Sequence, residues 1–397
     1  MNFVFISPNF PRTYWQFCDR LKGNRVNVLG VGDCPYDELD ENLKHSLTEY
    51  YKVQSLEDYG EVFRAIAFFS YKYGKIDWVE SNNEYWLEQD ARLRTDFNIT
   101  AGNKSSDIVK FKSKSAMKAY YKAAGVPSAR NHKIVGKDDA LEFAHEVSYP
   151  VIVKPDVGVG AADTYKLSSD EDLEWFFTVK PPVNYVMEDF IEGNIYSYDA
   201  ITNAECEPVF ESSTFFPPSI ADIVNNGEDL SYYVTDKVPE KLRELGRATV
   251  RSFEVKSRFV HFEFFCLTKA HAGIGDVGDF AGLEVNMRPA GGYTPDMMNF
   301  AHSTDVHRIW ADVVAFGERS LPFSDNNCFC VYSSRRDGVS YVHSHEEVLS
   351  RYGGSIVMCE RMPDALSGAM GNQMYTAKCE TLDATNDFIK FVSERTK

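Results

Sequence analysis

Short blocks of apolar residues alternate with amphipathic stretches along the first hundred positions, which is typical of strands joined by helices. Phe3–Ile6 and Arg25–Leu29 predict two strands, and Tyr14–Lys22 between them predicts a helix. A further strand is expected at Asp77–Glu80, before a helix over Glu84–Phe97. This order predicts a small parallel α/β domain. No Gly-x-Gly-x-x-Gly motif follows the first strand, so we do not expect a dinucleotide site there.

A second α/β unit is predicted after a polar stretch at 103–107. Ser113–Ala124 predicts its first helix, and the apolar strand Tyr149–Pro155 carries Lys154 into a glycine-containing loop at 156–162. Glycine lets backbone amides approach phosphate oxygens, and lysine adds a flexible positive charge. The segment therefore favours a phosphate site, although a plain β-turn would read the same. It is not a P-loop, because the lysine precedes the glycines.

Two segments downstream are candidates to face a ligand. Tyr185–Gly193 predicts a strand that opens into a connector between two lobes, and such a connector can hydrogen-bond an adenine edge through its backbone. The segment 210–240, which contains Phe215-Phe216-Pro217-Pro218, is either an inserted loop region that faces the substrate or a structural cover.

Two carboxylates in the last third of the chain, Glu263 and Glu284, belong to predicted strands. In an alternating strand Glu284, Asn286 and Arg288 point to one face. Mg²⁺ prefers such hard oxygen ligands, with one or two carboxylates beside substrate phosphates. The alternative is the solvated face of an ordinary strand. Zinc at His261 is not expected, since no His-Glu-x-x-His helix or third ligand at the usual spacing is present.

Composition indicates globular domains and excludes several partners. The chain has 397 residues, which exceeds what one core usually holds, so two or three domains are expected. Hydrophobic residues make up 44% and charged residues 25%, as in folded proteins. The formal net charge of −17 argues against nucleic acid or an anionic membrane as the main partner.

Neither a membrane span nor a secretory signal is predicted. The apolar runs are shorter than the roughly 20 residues of a span, and the N-terminus lacks a charged start and a cleavage site. A cytoplasmic protein is therefore expected. The eight cysteines have no zinc-like spacing, and the closest pair, Cys328 and Cys330, has no matching second pair, so reduced thiols are expected.

The pattern changes again after about Leu321. Phe329–Ser333 and Ser340–Val342 predict strands, and Leu382–Thr396 predicts a terminal helix. These elements predict a small C-terminal domain that packs on the rest. The predicted boundaries are 1–105 for the N-terminal domain, 106–318 for the central domain with a smaller lobe at about 125–187, and 319–397 for the C-terminal α+β domain.

In this order, the segments between about 105 and 315 resemble the ATP-grasp superfamily. Upstream, Asp77-x-Val79-x-Ser81-x-x-Glu84 and Ala91-Arg92-Leu93-Arg94 resemble the preceding domain of carboxylate–amine ligases related to carnosine synthase and bacterial L-amino-acid ligases. The resemblance implies an α/β (α+β ATP-grasp) fold with an N-terminal Rossmann-like domain, a two-lobed ATP-grasp domain and a small C-terminal domain. It also implies ATP and Mg²⁺, with Mn²⁺ as a substitute.

The resemblance assigns the nucleotide site. Spacing back from Ala124-Gly125-Val126-Pro127 selects Lys114 as the first phosphate lysine, with Lys110 and Lys112 as rivals, and Lys154 is the second. The remaining residues implied for ATP are Glu188 as acceptor of the adenine amine, the backbones of Asp189 and Ile191, the base-pocket residues Ile152, Met187 and Phe190, and the loop residues Gly158 and Gly160.

One position departs from the family pattern. Many members place a glutamate shortly after the connector, where it binds the ribose hydroxyls, and the matching position here is Ile195. Asp199 or Asn194 would then take over, or the ribose is held differently. The nucleotide preference stays open on this ground.

The resemblance also assigns the reaction centre. Glu263, Glu284 and Asn286 would bind Mg²⁺, and His261 would form part of the site wall, although a structural histidine is the alternative. Arg288 is expected to face an acyl phosphate or a substrate carboxylate, because its planar fork binds such oxygens bidentately. A structural salt bridge is the competing role for this arginine.

Three functions are compatible with these residues. The first is an ATP-dependent carboxylate–amine ligase that works through an acyl phosphate on small-molecule acids and amines. The second is a bicarbonate-activating enzyme like biotin carboxylase, and the third is a nucleotide-binding regulatory protein without turnover. A homodimer is expected only because such assemblies are common.

Overall fold

The computed structural model describes residues 1–158, 163–216 and 227–396, and its described strands form three sheets. The first sheet and its helices comprise β1 (Asn2–Ile6), α1 (Trp15–Gly23), β2 (Asn27–Gly32), α2 (Glu41–Ser46), β3 (Glu49–Lys52), α3 (Tyr59–Tyr73), β4 (Trp78–Glu80) and α4 (Leu87–Asp96). The strands are parallel in the order β3-β2-β1-β4. Every residue of β1 is buried, as expected for a parallel sheet covered on both faces.

The second sheet belongs to a small lobe. Its elements, with the two helices that precede them, are α5 (Val109–Lys112), α6 (Lys114–Ala123), β5 (Asn131–Lys133), α7 (Lys137–Val147), β6 (Val151–Pro155), β7 (Tyr165–Leu167), α8 (Asp170–Val179) and β8 (Tyr185–Asp189). The strands are antiparallel in the order β5-β8-β6-β7. Val151, Val153 and Met187 form its core with Leu173 and Phe176 of α8.

The third sheet carries nine strands. These are β9 (Gly193–Thr202), β10 (Pro208–Ser212), β11 (Thr214–Phe216), β12 (Ser231–Val234), β13 (Phe259–Leu267), β14 (Phe280–Asn286), β15 (Phe329–Arg335), β16 (Ile356–Arg361) and β17 (Gln373–Cys379). Their order is β14-β13-β9-β11-β12-β15-β17-β16, and β10 pairs with β9 beside this path. All of these pairings are antiparallel.

Helices attach the first sheet to the third. The remaining described α-helices are α9 (Glu240–Ser252), α10 (Thr294–His302), α11 (Val306–Phe316), α12 (His345–Tyr352), α13 (Asp364–Met370) and α14 (Leu382–Ser393). Trp310 of α11 is almost fully buried, and its ring lies 5.7 Å from Phe3 of β1 and 5.0 Å from Phe17 of α1. This aromatic contact belongs to one hydrophobic core shared by the N-terminal sheet and the central sheet.

The mixed α/β architecture is as predicted, and the strands expected at the N-terminus are present. Helix α4 begins at Leu87 rather than Glu84, because residues 84–86 form a turn. The prediction of a strand at Ser340–Val342 is wrong, because this segment forms one isolated β-bridge, between Tyr341 and Arg395. The segment instead makes backbone hydrogen bonds with the C-terminal residues, from the Val342 amide to the Glu394 carbonyl and from the Thr396 amide to the Ser340 carbonyl.

The third sheet bears on two predictions, the boundary at 318 and the inserted segment 210–240. Strand β15 of the segment 319–397 pairs directly with β12, so the C-terminal strands extend the central sheet and the boundary at 318 crosses it. The boundaries themselves stay predictions. Within the segment 210–240, the flanks form β10, β11 and β12 of the same sheet, whereas residues 217–226 lie outside the described residues. No described helix is long and apolar enough to cross a bilayer.

Candidate active site

Two neighbouring strands bring the predicted metal ligands together. In the β13–β14 ladder Glu263 lies opposite Glu284, and His261 lies opposite Asn286. Like charges directly opposite each other on an antiparallel pair are destabilising. The ladder therefore places two repelling carboxylates, which we name the carboxylate pair, where a cation would relieve the repulsion.

The surroundings move the pKa values of the carboxylate pair in opposite directions. Burial, followed by the charge of Glu263, raises the pKa of Glu284. Burial alone would also raise the pKa of Glu263, but the hydrogen bond and charge of His261, helped by Arg288 and Lys154, lower it. One carboxylate is thus held as an anion by the protein itself.

His261 lies between two carboxylates on the sheet. Its Nδ1 is 2.7 Å from Asp199 Oδ1, and its Nε2 is 3.3 Å from Glu263 Oε1. Burial opposes protonation, but Asp199 first and then Glu263 raise the pKa of His261 to about 9. Asp199 is fully buried and also accepts from Ser197. It is therefore engaged within the protein, which removes the expectation that it replaces the missing ribose carboxylate.

The residues at the carboxylate pair fit a magnesium ion. Asn286 adds an amide oxygen beside the two carboxylates, and it is 7% exposed. Across the described ranges no group of three or more His, Cys, Asp or Glu is placed to hold a metal. Two carboxylates and one amide oxygen agree with Mg²⁺, which is usually bound by one or two carboxylates together with phosphates.

A buried glutamate lies between two lysines in a cluster that we name the lysine pocket. Glu188 of β8 is 2.6 Å from Lys154 Nζ of β6 and 2.8 Å from Lys118 Nζ of α6. Burial would raise the pKa of Glu188, but the two ammonium groups lower it to about 2. The Lys118 contact is poorly aligned, so its Nζ and Glu188 Oε1 make no hydrogen bond. Glu188 was predicted as an adenine acceptor, and here both of its oxygens face lysines.

Sequence reasoning missed Lys118, although a signal was present. Lys114 and Lys118 are four residues apart, and residues at this spacing share one face of a helix. Lys114 itself lies 3.6 Å from Glu284 Oε1 and 3.3 Å from the Gly158 carbonyl. It is the lysine that reaches the carboxylate pair, whereas the rivals Lys110 and Lys112 contact Glu254 and Glu84.

The start of α6 is fixed against the glycine-containing loop. Ser113 caps the helix by accepting from the Ala116 amide, and Asp156 accepts from the Ser115 amide at 2.8 Å. A carboxylate at a helix N-terminus is stabilised by the exposed amides and the dipole. Lys114 is therefore held next to the loop that contains Gly158. Gly160, the other predicted loop residue, lies outside the described residues.

The residues predicted for the base pocket lie on β6, on β8 and just after β8. Ile152 pairs with Glu188 across β6 and β8, and Met187 is fully buried in the core of the small lobe. Phe190 is half-buried beneath the Lys166 ammonium, which is 3.9 Å from the ring centroid. The remaining members are Ile191, buried against Ala129, Leu267 and Ala281, and Asp189, which binds Arg130 at 2.9 Å.

One backbone contact predicted for adenine is already used. The Asp189 amide donates to the Arg130 carbonyl at 3.2 Å, so it is not free to donate to a base. The reason is that the pairing between β8 and β5 continues one residue further, so that Asp189 lies opposite Arg130.

Comparisons with known proteins converge on one architecture. Residues 80–179 match the family model described as carbamoyl-phosphate synthase L chain, ATP binding domain. A crystal structure of an L-amino acid ligase from Bacillus licheniformis aligns with a TM-score of 0.70 at 13% identity, over 98% of this chain and 96% of that one. The chain has the ATP-grasp fold. Another ATP-grasp structure, the biotin carboxylase domain of the Hydrogenobacter thermophilus 2-oxoglutarate carboxylase with MgADP, ADP and bicarbonate, aligns with a TM-score of 0.69 at 13% identity, over 99% and 90%.

A curated protein is similar in sequence over a smaller part of the chain than these structures are in fold. The ATP-grasp chain is 24% identical over 283 residues to the L-arginine-specific L-amino acid ligase of Bacillus subtilis. That alignment covers 69% of this chain and 65% of that protein, so the chain spans slightly less than two thirds of its curated relative.

Arg288 lies beyond the end of β14 in this ATP-grasp chain, so the strand alternation predicted for it stops at Asn286. Its Nη1 donates to the Pro289 carbonyl at 2.9 Å. Among the described residues, no carboxylate lies within 4.0 Å of its guanidinium, and the alternative of a structural salt bridge is not observed. The side chain is half-buried and can receive an anionic group.

A buried ion pair ties the N-terminal sheet to the two strands that carry the carboxylate pair. Glu80, at the end of β4, accepts from Arg258 Nη1 at 2.7 Å and Nη2 at 3.0 Å. Arg258 precedes β13, and its Nε donates to the Met287 carbonyl just after β14 at 2.6 Å. Arg94 of α4 adds a second contact to Glu80 at 2.8 Å. One arginine thus holds the ends of both strands that carry the carboxylate pair.

Proposed function

We propose that this protein is an ATP-dependent carboxylate–amine ligase, which joins a small-molecule acid to an amine and releases ADP and phosphate. The observation that carries the proposal is the 3.6 Å contact between Lys114 and Glu284, because it joins a phosphate-binding lysine to the carboxylate pair in one site. Support comes from the L-amino acid ligases among the proteins of similar sequence or fold.

The proposed reaction has two bond exchanges. A substrate carboxylate oxygen attacks the γ-phosphorus of ATP, the bond to ADP breaks, and an acyl phosphate forms. An amine nitrogen then attacks the acyl carbon, the carbon–oxygen bond to phosphate breaks, and the protons lost by nitrogen pass to phosphate and solvent. No side-chain nucleophile is needed, so positioning and charge stabilisation supply the catalysis.

Each group has a role in this scheme. Lys114 and Lys154 bind phosphate oxygens, and Arg288 faces the acyl phosphate, where its fork stabilises the developing charge. Glu263, Glu284 and Asn286 would hold Mg²⁺, which supplies positive charge to the phosphate oxygens when bound. His261 fixes Glu263 through its 3.3 Å contact.

A bicarbonate-activating reaction is the second candidate. It is favoured by the similarity in fold to a biotin carboxylase domain that was crystallised with MgADP and bicarbonate. It differs from the ligase in needing no amine before ADP is released.

The test is ADP and phosphate release from Mg·ATP by the purified protein, across pooled amino acids and other carboxylates, with and without amines, and with bicarbonate alone. We expect release that needs both an acid and an amine, with a product lighter than their sum by one water. Release with bicarbonate alone would favour the second candidate. No release despite measurable ATP binding would contradict both.

A further inference from the structure

Buried polar atoms without a hydrogen-bond partner are concentrated in one segment of the N-terminal domain, residues 82–90. In this segment the atoms are both side-chain amide atoms of Asn82, Oε2 of Glu84, Nε2 of Gln89 and Oδ1 of Asp90, and others, such as Asn9 Oδ1 and Lys118 Nζ, are spread over the described residues. Asn82 is fully buried, and Glu84 is 9% exposed. Leaving such a group buried and unpaired is destabilising, so each needs a physical reason, and a bound ligand is one.

This segment lies where an open parallel sheet offers a binding site. Strand β1 has β2 on one side and β4 on the other, so the direction of the chain across the sheet reverses between β1 and β4. Ligands of open α/β sheets bind outside the carboxyl ends of the strands at such a point. Asn82 and Glu84 follow the carboxyl end of β4.

Glu84 lies close to the reaction centre. Its partner Lys112 is two residues before Lys114, whose Nζ is 3.6 Å from Glu284 Oε1 in the carboxylate pair. Glu84 Oε1 is 3.6 Å from Lys112 Nζ, which leaves Oε2 for another cationic donor. A carboxylate with one compensated oxygen and one open oxygen is suited to an ammonium group.

Asn82 is linked to the same centre from the other side. Its backbone amide donates to Glu80 Oε1 at 3.2 Å, and Glu80 binds Arg258, whose Nε donates to the carbonyl of Met287, the residue before Arg288. Asn82 has a φ of 53°, a left-handed backbone conformation that turns the chain immediately after β4. Its side-chain amide therefore presents an acceptor and a donor close to where Arg288 would hold an acyl phosphate.

We propose that Glu84 and Asn82 form the subsite that holds the amine substrate, a primary amine bound as its ammonium ion. This inference rests on the proposed ligase function. Glu84 Oε2 accepts one ammonium hydrogen, and the Asn82 side-chain oxygen accepts a second. After one proton leaves, the nitrogen attacks the acyl carbon and phosphate departs, as described above.

Space for the rest of the amine is available beside this segment. Asn83 and Tyr85, the chain neighbours of Glu84, line a cleft of about 360 Å³ together with Trp86. Phe10 and Leu56 give this cleft further apolar wall, and Ser7, Asn9 and Asp33 give it polar groups. An amine whose body has both apolar and polar groups, such as an amino acid, matches this lining.

The test separates recognition of the amine from activation of the acid. The variant is Glu84→Gln, and the matched control is Glu88→Gln, which removes an exposed carboxylate from the adjoining helix. The twenty standard amino acids serve as amine probes, and hydroxylamine, which is uncharged at pH 7.5, serves as a nucleophile that needs no ammonium site. We expect Glu84→Gln to raise the KM for amino-acid amines at least tenfold, while ADP release with hydroxylamine stays within twofold. Glu88→Gln should change neither.

Other outcomes would overturn the assignment. An unchanged amine KM, an equal loss with hydroxylamine, or a raised Mg²⁺ requirement would each assign Glu84 to something other than the amine. If the wild type ligates no amine at all, the proposed function fails and not this inference alone. Should Glu84→Gln fold poorly in thermal melts, Asn82→Gly tests the same subsite, because glycine keeps the left-handed backbone and removes only the amide. It should also raise the amine KM, and an unchanged KM would contradict the proposal.

Discussion

The lysine pocket and the carboxylate pair handle buried charge in opposite ways. In the lysine pocket Glu188 is compensated by Lys118 and Lys154, and burial does not prevent its ionisation. In the carboxylate pair two acids face each other, and the pKa of Glu284 rises while that of Glu263 falls. The first region is complete without a ligand, and the second is not.

This difference indicates which of the two regions must change its contacts when a ligand binds. A nucleotide phosphate that binds Lys154 competes with Glu188 for the same ammonium, so the lysine pocket exchanges partners when it is filled. A cation at the carboxylate pair would remove the repulsion between Glu263 and Glu284, whose existing contacts with His261 and Lys114 are longer than 3 Å. We therefore expect substitutions in the two regions to separate stability from activity.

The largest effect is expected from Glu284→Gln. It removes a proposed magnesium ligand at nearly constant volume, so phosphoryl transfer should fall by about 10²-fold or more. Because the substitution also removes the like-charge repulsion, the melting temperature without Mg²⁺ should not fall. The measurements are ADP release and thermal melts, with Glu244→Gln, an exposed carboxylate on α9, as control. Full activity would contradict the metal assignment.

Lys154→Met should break the lysine pocket more severely than Lys118→Met. Lys154 is the closer partner of Glu188, at 2.6 Å against 2.8 Å for Lys118, and it is also the proposed phosphate ligand. We expect kcat/KM for ATP to fall about 10²-fold for Lys154→Met and about tenfold for Lys118→Met. Steady-state kinetics with varied ATP provides the comparison. Equal losses in both variants would mean that the two lysines share one role.

Arg258→Lys should separate the positioning of the carboxylate pair from ligand binding, because it disturbs the two strands without removing a proposed ligand. Lysine cannot reproduce the bidentate contact with Glu80 and the contact with the Met287 carbonyl together. We expect kcat to fall about tenfold with less than a twofold change in the KM for ATP, and the free energy of unfolding to fall by about 1–3 kcal/mol. The exposed Arg251→Lys is the control. A rise in the KM for ATP at constant kcat would count against a positioning role.

The smallest effect concerns acid. Glu188 has a folded pKa of about 2 against an ordinary 4.5, so its pairing stabilises the fold above about pH 4.5 and is lost as the pH falls toward 2. Urea titrations between pH 6 and 3 should show the wild type losing on the order of 1–3 kcal/mol more than Glu188→Gln over this window. Lys118 and Lys154 supply the charge that stabilises the ionised Glu188. Parallel stability curves for the wild type and Glu188→Gln would contradict this prediction.

The elements of the carboxylate pair could be predicted from sequence, because their chemistry repeats with the period of a strand. Glu284 and Asn286 share a face by alternation, and the structure places both on β14. Lys118 could have been predicted from its helical spacing to Lys114, but the family resemblance assigns a role to only one lysine of this helix. The strand predicted at Ser340–Val342 shows the opposite problem, since a short apolar run alone does not determine pairing.

Contacts between distant parts of the chain could not be predicted in this way. Glu80 and Arg258 are 178 residues apart, and neither belongs to a pattern that names the other. The unpaired atoms of Asn82 and Glu84 are equally invisible in sequence, because being without a partner is a property of the packed state. The departure at Ile195 was visible, but the engagement of Asp199 by His261 required the β9–β13 register.

The continuity of the third sheet limits how this protein can be taken apart. Strand β15 is hydrogen-bonded to β12 along four residue pairs, so cutting the chain near 318 would leave β12 as an open edge. Open edges recruit other chains and promote aggregation. The segment 319–397 is therefore unsuited to exchange between related enzymes as a separate unit, because its strands complete the central sheet.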